Sequence, residues 1–332
     1  MNATRGFKRK YLGYIAIALL LVFVSSIVLL AVDYWEKRRG VFSGDGNEGL
    51  TSTLEYDGKN YVLKDDVETF LVIGLDKYEG NVSNDAYMND QQADFLLLFA
   101  VDNSNSTVTA IQINRDTMAQ INVLGVAGEK ISTVEKQIAL SHTYGNGREV
   151  SCRNTADAVS ALLLDAKVNH YLSLTLDAVP VCNDLVGGVE VTVLDDFTGI
   201  DDALVKDQKV TLTGEQALTY VRVRQGLEDS TNEHRMIRQR QYIDALYQKT
   251  VQCARDNKNF IVESSASLTD YLVSDRSVNQ LQVLFEKITS YEFKGILTID
   301  GESAVGEEFM EFHPDEDALK KVVVDVFYDP EQ

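Results

Sequence analysis

The sequence predicts an α/β fold: a mixed α+β layered domain with a central mixed β-sheet flanked by helices, behind an N-terminal transmembrane helix. Three observations predict it. Short apolar, β-branched runs bounded by turn residues alternate with stretches of helical period, the pattern of one layered domain. At 45% apolar and 9% aromatic content, a chain of 332 residues has material for a sizeable core. Residues 11–32 carry no charge and are long enough to cross a hydrocarbon core of ~30 Å as a helix.

Taken in order, residues 1–10 form a cytoplasmic N-terminus and residues 11–32 a signal anchor. Arg5, Lys8, Arg9 and Lys10 precede the anchor without an acid, whereas Lys37, Arg38 and Arg39 follow it mixed with Asp33 and Glu36. That slight bias and the usual signal-anchor topology place the rest of the chain outside the cell membrane. A cleaved signal peptide is the competing reading, but the run is long for one and no small-x-small site clearly follows. Trp35 reads as an interfacial anchor. Residues 33–66 are polar and glycine-bearing and read as an extracytoplasmic linker, with a short hairpin around Asp57 and Gly58. The globular domain is then expected over residues 67–332.

Within that domain, residues 67–74, 95–102, 107–114, 170–177 and 188–195 read as strands. Helices are expected at 132–144, 155–164, 178–185 and about 234–254, with Asn154 and Thr213 as N-caps. Gln216, three residues after Thr213, resembles the partner in a capping box. The C-terminal part reads helix, strand, helix. Gly145 to Gly147 is a turn rather than a phosphate loop.

Composition restricts function. The chain carries 51 acidic and 31 basic residues, a net charge of −20, and part of its basic complement flanks the anchor. Phosphate backbones need a basic face, so nucleic acid is not a partner. Cys152, Cys182 and Cys253 are an odd set, compatible with one disulfide and a free thiol or with buried thiols. The four histidines share no zinc-ligand spacing.

Against this acidic background, "TYVRVRQG" at 219–226 places Arg222 and Arg224 two apart. On a strand both would project to one face with Val221 and Val223 opposite. Like charges held that close call for an anion. Arg115 and Asp116 follow a strand in "INRDT", and "EHRMIRQRQ" puts Arg235, Arg238 and Gln239 along one helix face. The planar guanidinium fork suits bidentate contact with phosphate, so arginines from three elements could enclose a pyrophosphate. Asp76 lies just past one strand and Asp94 just before another. Two carboxylates at a sheet edge could hold Mg²⁺, completed by water.

These blocks occur in an order that resembles the LytR-CpsA-Psr family of cell-wall phosphotransferases. They comprise L-x-x-G-x-D ending at Asp76, the aspartate Asp94 before a strand, I-x-R-D-T at Arg115, the Gly187-Gly188-Val189 block, "LTGEQALTYVRVRQ", and R-x-x-R-Q from Arg235. The resemblance covers roughly residues 67–254, plus a C-terminal extension. It implies that Arg115, Arg222, Arg224, Arg235 and Gln239 contact the pyrophosphate of a polyprenyl-linked glycan. It further implies that Asp76 and Asp94 hold Mg²⁺, with Mn²⁺ as a substitute, that Arg115, Arg222, Arg224, Asp76 and Asp94 are catalytic, and that an apolar groove takes the lipid. Three positions depart from the family's pattern. Asn114 stands where proline is usual, Ala93 where arginine or serine is usual, and Asn232 where an acid is usual. The first reads as a backbone matter; the other two bear on metal or base function.

The chemistry implied is attack by a peptidoglycan hydroxyl on the phosphorus nearest the glycan, with polyprenyl phosphate leaving. Such transfer asks chiefly for positioning and charge stabilisation. Asp76, Asp94 and Asp116 are candidate bases, Asp116 reading better as an arginine partner. Two alternatives stay open: a non-catalytic protein that binds lipid-linked glycan or cell wall in a regulatory role, and a polyprenyl-pyrophosphate hydrolase.

Overall fold

The apolar runs of the sequence assemble into a six-stranded sheet in the computed structural model, which describes residues 50–77, 87–307 and 309–331. In chain order the strands are β1 (Thr53–Tyr56), β2 (Lys59–Leu63), β3 (Val67–Leu75), β4 (Ala93–Asp102), β5 (Thr107–Ile113), β6 (Met118–Leu124), β7 (Lys130–Gln137), β8 (His170–Thr175), β9 (Val189–Thr192), β10 (Lys209–Leu212), β11 (Leu272–Ser274), β12 (Glu292–Thr298), β13 (Gly301–Val305), β14 (Met310–Pro314) and β15 (Tyr328–Pro330). The helices are α1 (Glu149–Leu162), α2 (Ala178–Leu185), α3 (Gly214–Arg222), α4 (Asn232–Asp256), α5 (Phe260–Leu268), α6 (Val278–Ser290) and α7 (Glu316–Phe327). The central sheet has the order β11-β8-β3-β4-β5-β12. β3, β4 and β5 run antiparallel in series, while β8 joins β3 and β12 joins β5 in parallel.

One face of this sheet is sealed. Leu71, Ile73, Leu75, Leu96, Leu98 and Ile111 have no exposure and pack with Val159 of α1 and Val323 and Phe327 of α7. Each such side chain contributes about 2 kcal/mol of transfer free energy. The other face meets α4 and α6 through Val101, Val108, Tyr247 and Ile288. A second core beyond α4 joins β9, β10, α2 and α3 through Val189, Leu212, Ala217, Tyr220 and Tyr242. The long helix α4 is therefore shared between the sheet and this second core.

Several expectations are corrected. The hairpin around Asp57 and Gly58 forms, with φ of 50° and 67° as a tight I′-like turn requires. Its strand β2 also pairs with β15, so residues 53–63 belong to the folded body rather than to a linker ending at 66. Residues 132–144 are not a helix: β7 pairs with β6, and a 3₁₀ turn (Ile138–Thr143) follows. The β-branched run "ISTV" favours the strand. Asn154 is no N-cap. It lies inside α1, buried, and donates to the carbonyls of Asn122 and Ser141. The hairpin β13–β14 was not anticipated. Thr213 does cap α3 with Gln216 in a reciprocal box. The three cysteines are free.

The proposed anchor and its flanks lie outside the described residues. Among the described residues no helix is long and apolar enough to cross a membrane.

Candidate functional site

The largest correction falls on the arginine pair. Residues 219–222 are the last turn of α3, not a strand. The capping box starts the helix at Thr213, and Ala217, Tyr220 and Val221 recur at helical spacing and are buried. Arg222 therefore ends the helix, and Arg224 follows in extended chain after Val223. The two guanidinium groups diverge. Arg222 is exposed and lies 3.4 Å from Asp76, itself exposed. Arg224 is half-buried and has no ion-pair partner within reach among the described residues, but shares its field with Arg115, Arg235 and Asp116.

Asp76 and Asp94 come from adjacent antiparallel strands. Gly74 pairs with Phe95 and Leu75 with Ala93, so Asp94 is the extra residue of a bulge. It sits within β4 rather than before it. Bulges re-aim side chains next to sites. A Cβ at Gly74 would meet the Cβ of Phe95 at 2.7 Å, so the strands can approach here only with glycine.

Arg115 links the strand ends. Its guanidinium contacts the Asp94 carboxylate, donates to Gln92 Oε1 at 2.5 Å, and lies 3.4 Å from Asp116. Asp116 also accepts from Gln137 Nε2 at 3.0 Å, and its contact with Arg115 is the arginine pairing expected of it. Burial pushes the Asp116 carboxyl above the usual range, opposed by Arg115, Arg224 and Arg235. Burial lowers the Arg115 guanidinium, Asp116 opposes this, and Arg224 adds to it.

Arg235 is 8% exposed on the first turns of α4. It donates to Asn232 Oδ1 at 2.6 Å, and its Nε, buried, has no hydrogen-bond partner among the described residues. Burial, then Arg224 and Arg115, pull it down to about 10. Three arginines thus lie within electrostatic reach of one another around Asp116, with Asp94 also against Arg115, an arrangement that suits an anion.

Arg238 and Gln239 do not join them. Gln239 donates to the Val221 carbonyl at 3.2 Å and accepts from Gln112 at 3.3 Å. Arg238, with no exposure, turns to Asp195 at 3.0 Å. Several neighbours escaped sequence reasoning: Gln92, Gln137, and the contact of Asn232 with Asn114 at 2.7 Å. No local pattern marks Gln92 or Gln137. The Asn114 position is more than a backbone matter, because its Oδ1 also accepts from the Asp116 amide at 3.0 Å.

Asp76 and Asp94 are hard oxygen donors, and no group of three or more potential ligands closes a metal site among the described residues. Asp94 Oδ1 is buried and accepts no hydrogen bond, although the Arg115 guanidinium lies against it. Magnesium commonly uses one or two carboxylates and takes its remaining ligands from phosphate and water, so the donor type fits the ion, while Arg115 and Arg222 hold the two carboxylates here.

Beside the site, the α4-facing side of the sheet is not sealed. Val72, Phe95, Phe99, Leu172 and Leu174 on central strands are only half-buried, in contrast to the opposite face.

The model of the LytR_cpsA_psr family matches residues 45–323. The chain belongs to this family. Relatives include the proteins named "Polyisoprenyl-teichoic acid--peptidoglycan teichoic acid transferase TagU" of Bacillus licheniformis and Enterococcus faecalis. The first is 26% identical over 250 residues, 75% of this chain and 73% of its own length. The second is 24% identical over 269 residues, 80% of this chain and 78% of its own. Among solved structures, B. subtilis TagV superposes with a TM-score of 0.62 at 21% identity, over 80% of this chain and 97% of that one. The fold is thus shared by a LytR-cpsA-psr member and by TagV.

Proposed function

We propose that the chain is a membrane-anchored phosphotransferase of the extracytoplasmic cell wall. It moves a glycopolymer from a polyprenyl-pyrophosphate carrier to a sugar hydroxyl of peptidoglycan. The single observation that carries this reading is the clustering of Arg115, Arg224 and the buried, incompletely bonded Arg235 within one another's electrostatic field. Guanidinium groups gathered this closely suit a multiply charged oxyanion, and a pyrophosphate supplies one. Membership of the family and the names of the relatives agree with it.

In this reading the acceptor oxygen attacks the phosphorus nearest the glycan. The phosphorus–bridging oxygen bond breaks, and polyprenyl phosphate leaves with the electron pair. Arg115, Arg224 and Arg235 hold the phosphate oxygens and stabilise charge as it develops, while Arg222 closes the outer side next to Asp76. Gln239 supports the cage from behind through the Val221 carbonyl. Each of Asp76, Asp94 and Asp116 is paired with an arginine, and the hydroxyl proton goes to one of these three carboxylates. Mg²⁺ held by Asp76 and Asp94, or Mn²⁺ in its place, would add positive charge beside the phosphates. The half-buried apolar side of the sheet offers the lipid chain a groove.

The test uses the full chain in detergent with a short polyprenyl-pyrophosphate glycan, peptidoglycan fragments and Mg²⁺, read by mass spectrometry. A glycan–phosphate–peptidoglycan adduct is expected, and it should disappear with EDTA. Tight binding of the lipid-linked glycan without adduct, indifferent to EDTA, would make the chain a binding protein. Release of glycan phosphate to water alone would make it a hydrolase.

A further inference from the structure

Among the described residues Arg238 is the largest side chain with no exposure. A guanidinium this deep is unfavourable unless it is paired, and here it is paired by groups of one particular place. Its Nε lies 3.0 Å from Asp195 Oδ2. One terminal nitrogen donates to the Tyr220 carbonyl at 2.9 Å and the other to the Val223 carbonyl at 2.5 Å. The rings of Phe197 and Tyr220 lie 5.4 and 5.9 Å from its central carbon. Asp195 is anchored in turn by His234, 2.7 Å away.

Tyr220 and Val223 bracket the end of α3. The last carbonyls of a helix have no partner within it, and they carry the negative end of its dipole. α3 ends without glycine: its cap residue Val223 is in extended conformation, so no left-handed turn takes up these carbonyls. Arg238 takes two of them, and Gln239 takes the Val221 carbonyl that lies between. The residues whose backbone is held in this way are those that carry Arg222 and Arg224.

We propose that Arg238 is a positioning residue, clamped by Asp195, that fixes the end of α3 so that Arg224 faces Arg115 and Arg235 while Arg222 faces Asp76. The role rests on the arginine cage described under Proposed function, but it concerns the cage's construction, not its contact with substrate. The geometry also accounts for two arginines three residues apart on one helix with different duties. Arg235 donates to Asn232 and shares its surroundings with Arg115, Arg224 and Asp116. Arg238, with no exposure, is taken up by an ion pair to Asp195 and by the carbonyls of Tyr220 and Val223.

The experiment compares the full chain in detergent with Arg238→Gln and Arg238→Lys, using two readouts. Hydrogen exchange measured by mass spectrometry over residues 219–227 does not depend on any ligand. In Arg238→Gln this segment should exchange about tenfold faster while β3, β4 and β5 keep their protection, and Arg238→Lys should recover part of the loss. Binding of inorganic pyrophosphate is the second readout. Arg238→Gln should weaken it about tenfold in the native background, yet less than about twofold in an Arg224→Ala background, because two residues acting through one another are not additive. Unchanged exchange at 219–227 would overturn the proposal, and so would equal losses of binding in both backgrounds, since a general loss of stability would act alike in each. If Arg238→Gln does not fold, Asp195→Asn removes the clamp at nearly constant volume and is read over the same segment with the same expectations. A wild-type chain that binds no pyrophosphate, but whose Arg238→Gln variant exchanges faster only at 219–227, would remove the cage reading and leave the positioning role standing.

Discussion

Asn232 donates a 2.7 Å hydrogen bond to Asn114 and accepts one of 2.6 Å from Arg235, joining the start of α4 to the turn after β5. Two of the positions that depart from the family's usual residues therefore touch each other. An acid at position 232 would pair with Arg235 and cancel its charge, whereas the amide orients it and leaves the charge free for a ligand. Asn232→Asp is predicted to weaken inorganic pyrophosphate binding about tenfold, roughly 1.4 kcal/mol, measured by titration calorimetry.

Arg222 at the end of α3 and Arg224 just beyond it are not equivalent. Arg224 is half-buried among like charges, while Arg222 is exposed and shares Asp76, an exposed pair worth at most about 1 kcal/mol. Arg224→Ala should lower the transfer rate about a hundredfold or more, the cost of removing a preorganised oxyanion donor. Arg222→Ala should cost less. Steady-state kinetics of adduct formation, with circular dichroism to confirm folding, separates them.

His142 has no exposure, lies 3.1 Å from the Gln91 carbonyl and faces the Cys152 thiol. Burial lowers it from 6.5 to about 4. A depressed value means that the unfolded chain takes up the proton first. The stability held by neutral His142 is complete above about pH 6.5 and is lost as the pH falls toward 4, at no more than about 1.4 kcal/mol per pH unit. His142→Gln should flatten the decline of Tm across that window.

Thr213 caps α3 with Gln216, and this helix ends in Arg222 and leads to Arg224. Thr213→Ala should cost about 1 kcal/mol, a fall in Tm of about 2–4 °C by calorimetry.

Much of this arrangement was legible in the sequence. The central strands could be read because their apolar runs are buried on both faces or alternate cleanly, and Arg115, Arg235, Asp76 and Asp94 stand at the ends of such elements. The failures have physical causes. Four residues of V-R-V-R alternation fit a strand and the last turn of a helix equally well, and the deciding signal, the capping box at Thr213, lies upstream. β7 is a mostly exposed strand, with Ile131 66% exposed, so no buried face wrote a period of two into it. Arg238 and Arg235 share residue type and helix face. Only the fold, by bringing Asp195 beside one of them, assigns them different work.

The most direct test of phosphoryl transfer follows the phosphorus itself. The carrier glycan would be labelled with ³²P at the phosphate nearest the sugar and incubated with the full chain, peptidoglycan fragments and Mg²⁺, and the products would then be separated. The mechanism requires the label to appear in peptidoglycan, with unlabelled polyprenyl phosphate released. Label that stays on the lipid while glycan reaches peptidoglycan would mean that a sugar–oxygen bond breaks instead, and would contradict it.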